Sequence, residues 1–362
     1  MTAINRTQLI NKLEVVAPAL AAHNLVPQMT HFWFTGKTLM AYNDQIGISV
    51  PFKTDFQGAV PGALLSLLKT STQKEVDLTA TKSELKVKSG RSNWSLAMMG
   101  PDCFIFTMPN PHQSDVIGSK SMPRLMAALS GCLRSIGQDT SIPEQLGVTI
   151  VPNGNAVTLY TTNSTTISAT KVKLSGDTAM PRVILSTQFC RQMLALAQPT
   201  IVDKKEVIDA SLLVFDNQVM LLTADATLFG RQITSERPYD FDKTITHHFP
   251  APVRSKAAPI PGGLRAALER ASIICDHKVD QVKAIMSVAD GVLKIASKSD
   301  RGEAVDKLKL AGDHQDVSVA VEPQLLSIGL DDDFDHFILD GKSVVMTNER
   351  GDIYLVSAST PR

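Results

Sequence analysis

The sequence predicts an α+β protein made of three copies of one domain, each with two short helices packed on antiparallel sheets. Three observations carry this. Short stretches alternate apolar and polar residues at period two, as strands with one buried face do. Six separated stretches carry apolar residues at i, i+3, i+4 and i+7. The order helix, strands, helix, strands recurs three times at a spacing of roughly 120 to 135 residues. The 362 residues, 43% of them hydrophobic, are enough for three separate cores.

The clearest strands are in KSELKVKSGRSNWSLAMM (82–99), where Leu85 and Val87, then Trp94, Leu96 and Met98, recur at period two. SGRS between them reads as a hairpin turn, with Gly90 taking the positive φ and the Ser89 and Ser92 hydroxyls bonding their own backbone. The helical stripes, in order, begin with TQLINKLEVVAPAL (Leu9, Leu13, Val16, Leu20) and PGALLSLLKTS. SMPRLMAALSGCLRSI follows, with Leu125, Ala128, Leu129, Cys132, Leu133 and Ile136, and then STQFCRQMLALAQ, PGGLRAALERASIIC and EPQLLSIGL. The first, third and fifth helices are followed by a glycine turn and a strand: GKTLMAY (36–42), GNAVTLY (154–160) and GVLKIAS (291–297). After the second, fourth and sixth come the hairpin above, ASLLVFDNQVMLLTADATLFGRQI and DHFILDGKSVVMTNERGDIYLVSA. Proline, glycine and polar density in PNPHQSDVIGSK and THHFPAPVRSKAAPIP puts boundaries near 118 and 248, giving domains 1–118, 119–248 and 249–362.

Few residues carry the patterns of catalysis or metal binding. GKT (36–38) and GKS (341–343) lack the upstream glycine and following helix of a phosphate loop, and His31 and His336 stand where that glycine belongs. DDDFDHFILDGK (331–342) has His336 and Lys342 where a calcium loop needs Gly and Glu, so it reads as a solvated loop. His247 and His248 fall in the second linker with no further ligand at metal spacing, and read as exposed. Cys103, Cys132, Cys190 and Cys275 form no CxxC pair and read as buried, reduced thiols. Trp33 and Trp94 read as packing residues of strands rather than base-stacking platforms. An enzyme, a metal and a cofactor are therefore not expected. No apolar run approaches the roughly 18 residues of a membrane span, and MTAINRTQL lacks a signal-peptide core, so the cytoplasm is the expected location and the NRT, NST and NWS triplets stay unglycosylated.

The charge is balanced at 36 basic and 36 acidic residues, which excludes a general polycation; any nucleic-acid role needs segregated charge. The six helical stripes supply it. Lys12, Lys69, Arg124, Arg134, Arg191, Arg265 and Arg270 stand against Glu14, Glu269 and Glu322, a net of +4. If the helices share one face, that face is a track for phosphates.

At this point a family resemblance enters. LKVKSGRSNWSL, GKTLMAYNDQIGISV, LERASIICDHKVDQVKAIMSVADGVLKIAS and the terminal YLVSASTPR resemble, in the same order and over the whole chain, segments of the bacterial sliding clamp, the beta subunit of DNA polymerase III. The resemblance implies a head-to-tail homodimer, a six-domain ring with strands outside and helices lining a hole that holds double-stranded DNA without reading its sequence. The seven basic residues, His23 and Gln138 would face that DNA. Phe104 on one side and Ile273 with Ile274 on the other match the dimer seam. Polymerase and clamp loader would dock short linear peptides in a cleft matching Thr162, Ser164, Thr165, Thr166, Ile167, Pro238, Val344, Leu355, Ser357, Ala358 and Ser359, with Ile167, Val344 and Leu355 as its apolar base. The sequence departs from the family in that cleft. Ser164, Thr165 and Thr166 replace the usual glycine, histidine and arginine, and Ser357 to Ser359 replace a methionine-proline-methionine tail. His23 stands for a basic DNA-facing residue, and Pro143 and Glu144 for tyrosines. Such drift suits a clamp from a bacteriophage or from a divergent bacterial lineage. The alternative is a clamp-fold interaction or decoy module that does not encircle DNA.

Overall fold

A computed structural model describes residues 2–23, 26–106, 115–178, 180–202, 205–215, 217–250, 257–275, 283–312, 315–330 and 334–361. Asp331 to Asp333, half of the first linker and part of the second lie outside the described residues. The order of elements repeats three times as strand, helix, three strands, strand, helix, three strands. The first pass is β1 (Thr2–Asn5), α1 (Arg6–Val16), β2 (His31–Phe34), β3 (Thr38–Tyr42), β4 (Ile46–Pro51), β5 (Gly58–Pro61), α2 (Ala63–Thr70), β6 (Glu75–Ala80), β7 (Glu84–Ser89) and β8 (Ser92–Ala97). The second is β9 (Asp115–Ile117), α3 (Met122–Cys132), β10 (Gly147–Asn153), β11 (Ala156–Thr162), β12 (Thr166–Lys173), β13 (Val183–Ser186) and α4 (Thr187–Leu196). A short inserted hairpin, β14 (Thr200–Val202) and β15 (Lys205–Val207), precedes its closing strands β16 (Ala210–Val214), β17 (Gln218–Thr223) and β18 (Thr227–Arg231). The helix α5 (Phe241–His248) links to the third pass: β19 (Ala258–Pro259), α6 (Leu264–Ile274), β20 (Ala284–Ala289), β21 (Val292–Ser299), β22 (Gly302–Lys309), β23 (Val317–Val321), α7 (Pro323–Gly329), β24 (His336–Leu339), β25 (Ser343–Thr347) and β26 (Ile353–Ser357).

The chain forms two compact units. The first comprises Met1–Met126, Leu174–Pro181 and Leu185–Ile233. It holds an eight-stranded sheet, ordered β5-β2-β3-β4-β18-β17-β16-β9, and a four-stranded sheet, β1-β6-β7-β8. The larger sheet is two half-sheets joined where β4 meets β18, with Ser49 opposite Thr227 and Ile46 opposite Gly230. Asn5 caps α1 by accepting from the Gln8 amide at 3.0 Å, and the helix buries Leu9, Leu13 and Val16 against β3, β4 and α2. Leu20 falls beyond the helix, after a separate 3₁₀ turn (Ala17–Ala19), and is only half-buried. Proline at position 18 is what ends the regular helix, since it has no amide to donate. Gly230 lets α4 approach β18: a Cβ there would meet the Phe189 ring at 2.4 Å.

In the hairpin of β7 and β8, Leu85 pairs Leu96 and Val87 pairs Trp94, and Gly90 has φ +59°. Leu85 and Val87 are buried, whereas Trp94 and Leu96 are half-buried because β8 is the outer strand of its sheet. Ser89 differs from expectation. Its hydroxyl meets that of Ser71 at 2.6 Å rather than its own backbone, tying the hairpin to the end of α2.

The second unit comprises Ala127–Lys173, Arg182–Ile184 and Thr234–Arg362. Its eight-stranded sheet runs β13-β10-β11-β12-β26-β25-β24-β19, and its four-stranded sheet β22-β21-β20-β23. Here the half-sheets join where β12 meets β26, with Ile167 opposite Leu355. One core packs α6 and α7 on the inner faces of β20, β21, β25 and β26, around Leu268, Ile295, Val344, Tyr354 and Val356.

Three expectations need correction here. Residues 246–248, read as the start of the second linker, are the last residues of the helix α5. Asp240 caps it by accepting from the Lys243 amide at 2.9 Å, and Phe241 and Ile245 are its two buried anchors. His247 is exposed, but His248 is half-buried and its Nδ1 has no hydrogen-bond partner. Cys132, Cys190 and Cys275 are buried, whereas Cys103 is only half-buried, and none of the four is in a disulfide. Burial raises the pKa of Cys103 and Cys275, so both stay protonated.

Candidate functional site

In the first unit, Lys12 lies half-buried on α1, and His23 is exposed in the loop after it. Lys69, Arg124 and Arg191 project from α2, α3 and α4, all exposed. Lys69 is not a free cation: it pairs with Glu14 at 2.7 Å across α1 and α2. In the second unit, Arg265 and Arg270 are exposed on α6. Arg270 pairs with Asp306 of β22 at 2.6 Å, and Arg265 donates to the Leu330 carbonyl. Arg134 lies in a 3₁₀ turn (Leu133–Ser135) just past the end of α3 rather than on the helix, and Gln138 is exposed beyond it. The count of seven helical cations is thus reduced. Lys69 and Arg270 have carboxylate partners, and Glu322 is the residue that caps α7, not one within it. Glu144, matched by the resemblance to a DNA-side tyrosine, is buried at 2% exposure and pairs with Arg182 at 3.2 Å. It also accepts from the Tyr239 amide at 3.0 Å, while Arg182 donates to the Tyr239 carbonyl at 3.0 Å. This pair is a clamp on the backbone before α5.

The residues matched to a peptide cleft all lie in the second unit, and the β12–β26 joint brings Thr162 to Ile167 beside Leu355 to Ser359. Asn163 to Thr166 form a tight turn in which Asn163 Oδ1 accepts from the Thr165 and Thr166 amides. Ser164 takes φ +70°, the left-handed conformation in which glycine is unstrained, so the position suits the family's glycine better than the serine present. Gln145 holds the Ser164 hydroxyl, and Thr162 donates to the Thr166 carbonyl at 2.8 Å.

Beyond the turn, the tail is stitched by its backbone to three segments. The Ser357 amide donates to Thr165, that of Ala358 to Lys342, and that of Ser359 to Ala320. Lys283 adds a bond to the Ser359 hydroxyl at 3.0 Å.

The expected apolar base is corrected on two counts. Ile167 and Leu355 share a sheet face with Val345, whereas Val344 pairs Val356 and points into the core on the opposite face. Alternation of side chains along a strand forbids Val344 from joining them. Ile167 and Leu355 are themselves buried, 5% and 1% exposed, beneath Phe241, Ile245 and Phe249 of the α5 segment. Tyr160 fixes that segment, donating to Asp242 at 2.6 Å and stacking on Phe241 at 4.8 Å. Burial, then the Asp242 bond, raises the phenol above its ordinary pKa. What stays accessible is a polar rim: Ser164, Thr165 and Pro238 are exposed, and Ser357 to Ser359 half-buried.

Of the residues matched to a dimer seam, Ile273 is 69% exposed at the end of α6 and Ile274 is half-buried. Phe104, in the other unit, is half-buried and stacks on Trp33 with ring centroids 5.2 Å apart. The outer strands β8 and β22 of the two four-stranded sheets have no strand partner on their outward edges among the described residues.

No family model matches the sequence, and no curated protein matches it. Solved structures do. The chain is similar to the beta subunit of DNA polymerase III from Thermotoga maritima, at 17% identity, TM-score 0.79 and 99% of both chains covered. It is equally similar to the DNA polymerase sliding clamp from Pseudomonas aeruginosa, at 16% identity, TM-score 0.82 and 99% of each chain. The beta subunit from the DNA polymerase of Streptococcus pyogenes gives 17%, 0.82 and 99%. The chain has the fold of the bacterial DNA polymerase III beta sliding clamp, as the resemblance in its sequence implied. The low identities match the drift in its cleft and tail.

Proposed function

We propose that the chain is a DNA sliding clamp, a non-enzymatic processivity factor of three domains (1–118, 119–248 and 249–362) that closes head-to-tail with a second copy around duplex DNA. One observation carries the reading, and it is a rule of strand pairing. Each eight-stranded sheet joins the last strand of a three-strand run after one helix to the last strand of such a run in the next repeat: β4 to β18, then β12 to β26. The same rule leaves β22 of the third repeat with β8 of the first, and both edges are open. A second copy supplies the missing partner. Pairing β22 with its β8 makes a third kind of eight-stranded sheet, and doing so twice closes a ring in which neither β8 nor β22 is left unpaired. The exposed Ile273 beside that edge gains cover in the same step.

Within the ring, Arg124, Arg134 and Arg191 with the other helix-borne cations meet phosphates without reading bases, and linkage rather than tight binding retains the DNA. Polymerase and clamp loader peptides dock at the polar rim of Ser164, Thr165, Pro238 and Ser357 to Ser359, in the cytoplasm of a bacterium or of an infected host. Light scattering tests the ring first: the expected mass is about twice the 39.2 kDa of one chain. Retention on nicked circular DNA, with release on linearisation, tests the encirclement. A monomer at all concentrations refutes the ring and favours the interaction or decoy module.

A further inference from the structure

The outward face of the four-stranded sheet in the second unit has a composition that neither the sheet core nor the proposed ring requires. Cross-strand register places its side chains in rows. One row runs Ala320, Ile285, Ala296, Val305 from β23 to β22. Ala320 is buried, but Ile285 is 39% exposed and Val305 45%, so the row from β20 to β22 is open to solvent. The next row runs Ser318, Ser287, Lys294, Lys307, and beyond it Lys309 lies opposite Val292. On the other flank Lys298 lies opposite Glu303.

Lys294 and Lys307 are therefore directly opposed like charges on neighbouring strands, an arrangement that costs stability. Among the described residues neither has an ion-pair partner, nor has Lys298 or Lys309. The corresponding sheet of the first unit lacks this character. There Asp77 sits opposite Lys88, Thr79 opposite Lys86, and Lys86 opposite Ser95, with no exposed aliphatic row.

We propose that this face is a docking surface for a short acidic segment of a partner protein, with an aliphatic or aromatic anchor laid along Ile285, Ala296 and Val305 and carboxylates bridging Lys294 and Lys307. Charge complementarity names the occupant. An anion between the two lysines turns their mutual repulsion into two attractive contacts, and the apolar row gives the anchor area that ions alone do not. A nucleic acid fits less well, because the face has no aromatic ring to stack a base and no arginine fork for a phosphate. The site adjoins the polar rim, since Ala320 at the end of its row pairs with Ser359, but it does not depend on ring closure.

The test is selection of random 12-residue displayed peptides on the full chain, with counter-selection on Lys294→Glu/Lys307→Glu. Synthetic copies of the selected peptides are then measured by fluorescence anisotropy. The expected peptides carry two or more Asp or Glu around a Leu, Ile or Phe, lose at least tenfold in affinity on the double variant and severalfold on Ile285→Ser, and weaken with salt. Thermal unfolding of both variants checks that the fold is kept, and their mass by light scattering separates this surface from the ring. Selected peptides with no acidic bias, affinities unchanged in the variants, or tighter binding of oligo-dT than of any selected peptide to this face would overturn the proposal.

Discussion

Replacing Ile273 by alanine should weaken the proposed dimer while leaving the monomer folded. The side chain is 69% exposed in the single chain, at the end of α6 next to the open β22 edge. Fully burying an isoleucine is worth about 1.5–3 kcal/mol, so covering the exposed part contributes about 1–2 kcal/mol per seam. A closed head-to-tail dimer has two seams, which doubles the effect; alanine keeps one carbon of the contact, leaving a loss of about 1.5–3 kcal/mol. That is roughly a 10- to 100-fold weaker dimer. Sedimentation equilibrium across a dilution series reads this directly. Because the residue is a surface residue of the single chain, unfolding of the monomer should move by less than about 0.5 kcal/mol. An unchanged dissociation constant refutes the seam assignment. Loss of folding in place of dissociation would mean that Ile273 supports the α6 core instead.

Reversing Arg124, Arg134 and Arg191 to glutamate should shorten retention on nicked circular DNA with little dependence on sequence, and added salt should do the same to the unaltered protein; equal retention removes these residues from the DNA face. Gly230→Ala should destabilise the first unit by about 1–3 kcal/mol, because the new methyl enters the Phe189 ring; a melting temperature equal to that of the parent shows that α4 shifts freely. His248 has its pKa lowered from 6.5, first by burial and then by His247, against the opposing pull of Asp340. The folded state then binds fewer protons than the unfolded one, so this residue's contribution is full above about pH 6.5 and declines as the pH falls below it toward the folded value. His248→Gln should flatten that acid-side loss in urea titrations between pH 7 and 5, and an unchanged slope would show that other groups set it.

The strands and helices with strong periodicity were legible in the sequence, and the parts lost were those without a local signature. Leu85, Val87, Trp94 and Leu96 share a face because their alternation and the SGRS turn fix the register between them. α5 was not legible, since FDKTITHH is one two-turn helix with two apolar anchors, Phe241 and Ile245, and its cap, Asp240, resembles any loop aspartate. The joints β4–β18 and β12–β26 pair residues more than 170 positions apart, and no pattern in either strand announces the other. Those joints decide most of the candidate site. The matching of Ile273 and Phe104 to a seam rests on resemblance, because exposure of an apolar side chain at a helix end is a tertiary fact.

The cleft shows the same limit most sharply. Grouping Ile167, Val344 and Leu355 as one apolar base requires knowing the parity of each strand, and one residue of offset moves a side chain to the other face. With Val344 in the α6–α7 core and the other two beneath α5, none of the three is an open apolar base, so any affinity for a peptide at this place has to come from the rim or from displacement of α5. The tail complicates the obvious test. Removing Ser357 to Arg362 deletes one side of the rim but also four backbone hydrogen bonds that fasten the tail to Thr165, Lys342 and Ala320, so lost activity would not by itself identify a binding role. Thr165→Glu leaves those bonds in place, because only the Thr165 carbonyl and amide take part in them and its side chain is exposed. A rim that receives peptides should then lose polymerase stimulation severalfold while the dimer mass and the melting temperature hold. Full stimulation in that variant, together with full stimulation after Pro238→Glu, would place the partner site elsewhere on the chain.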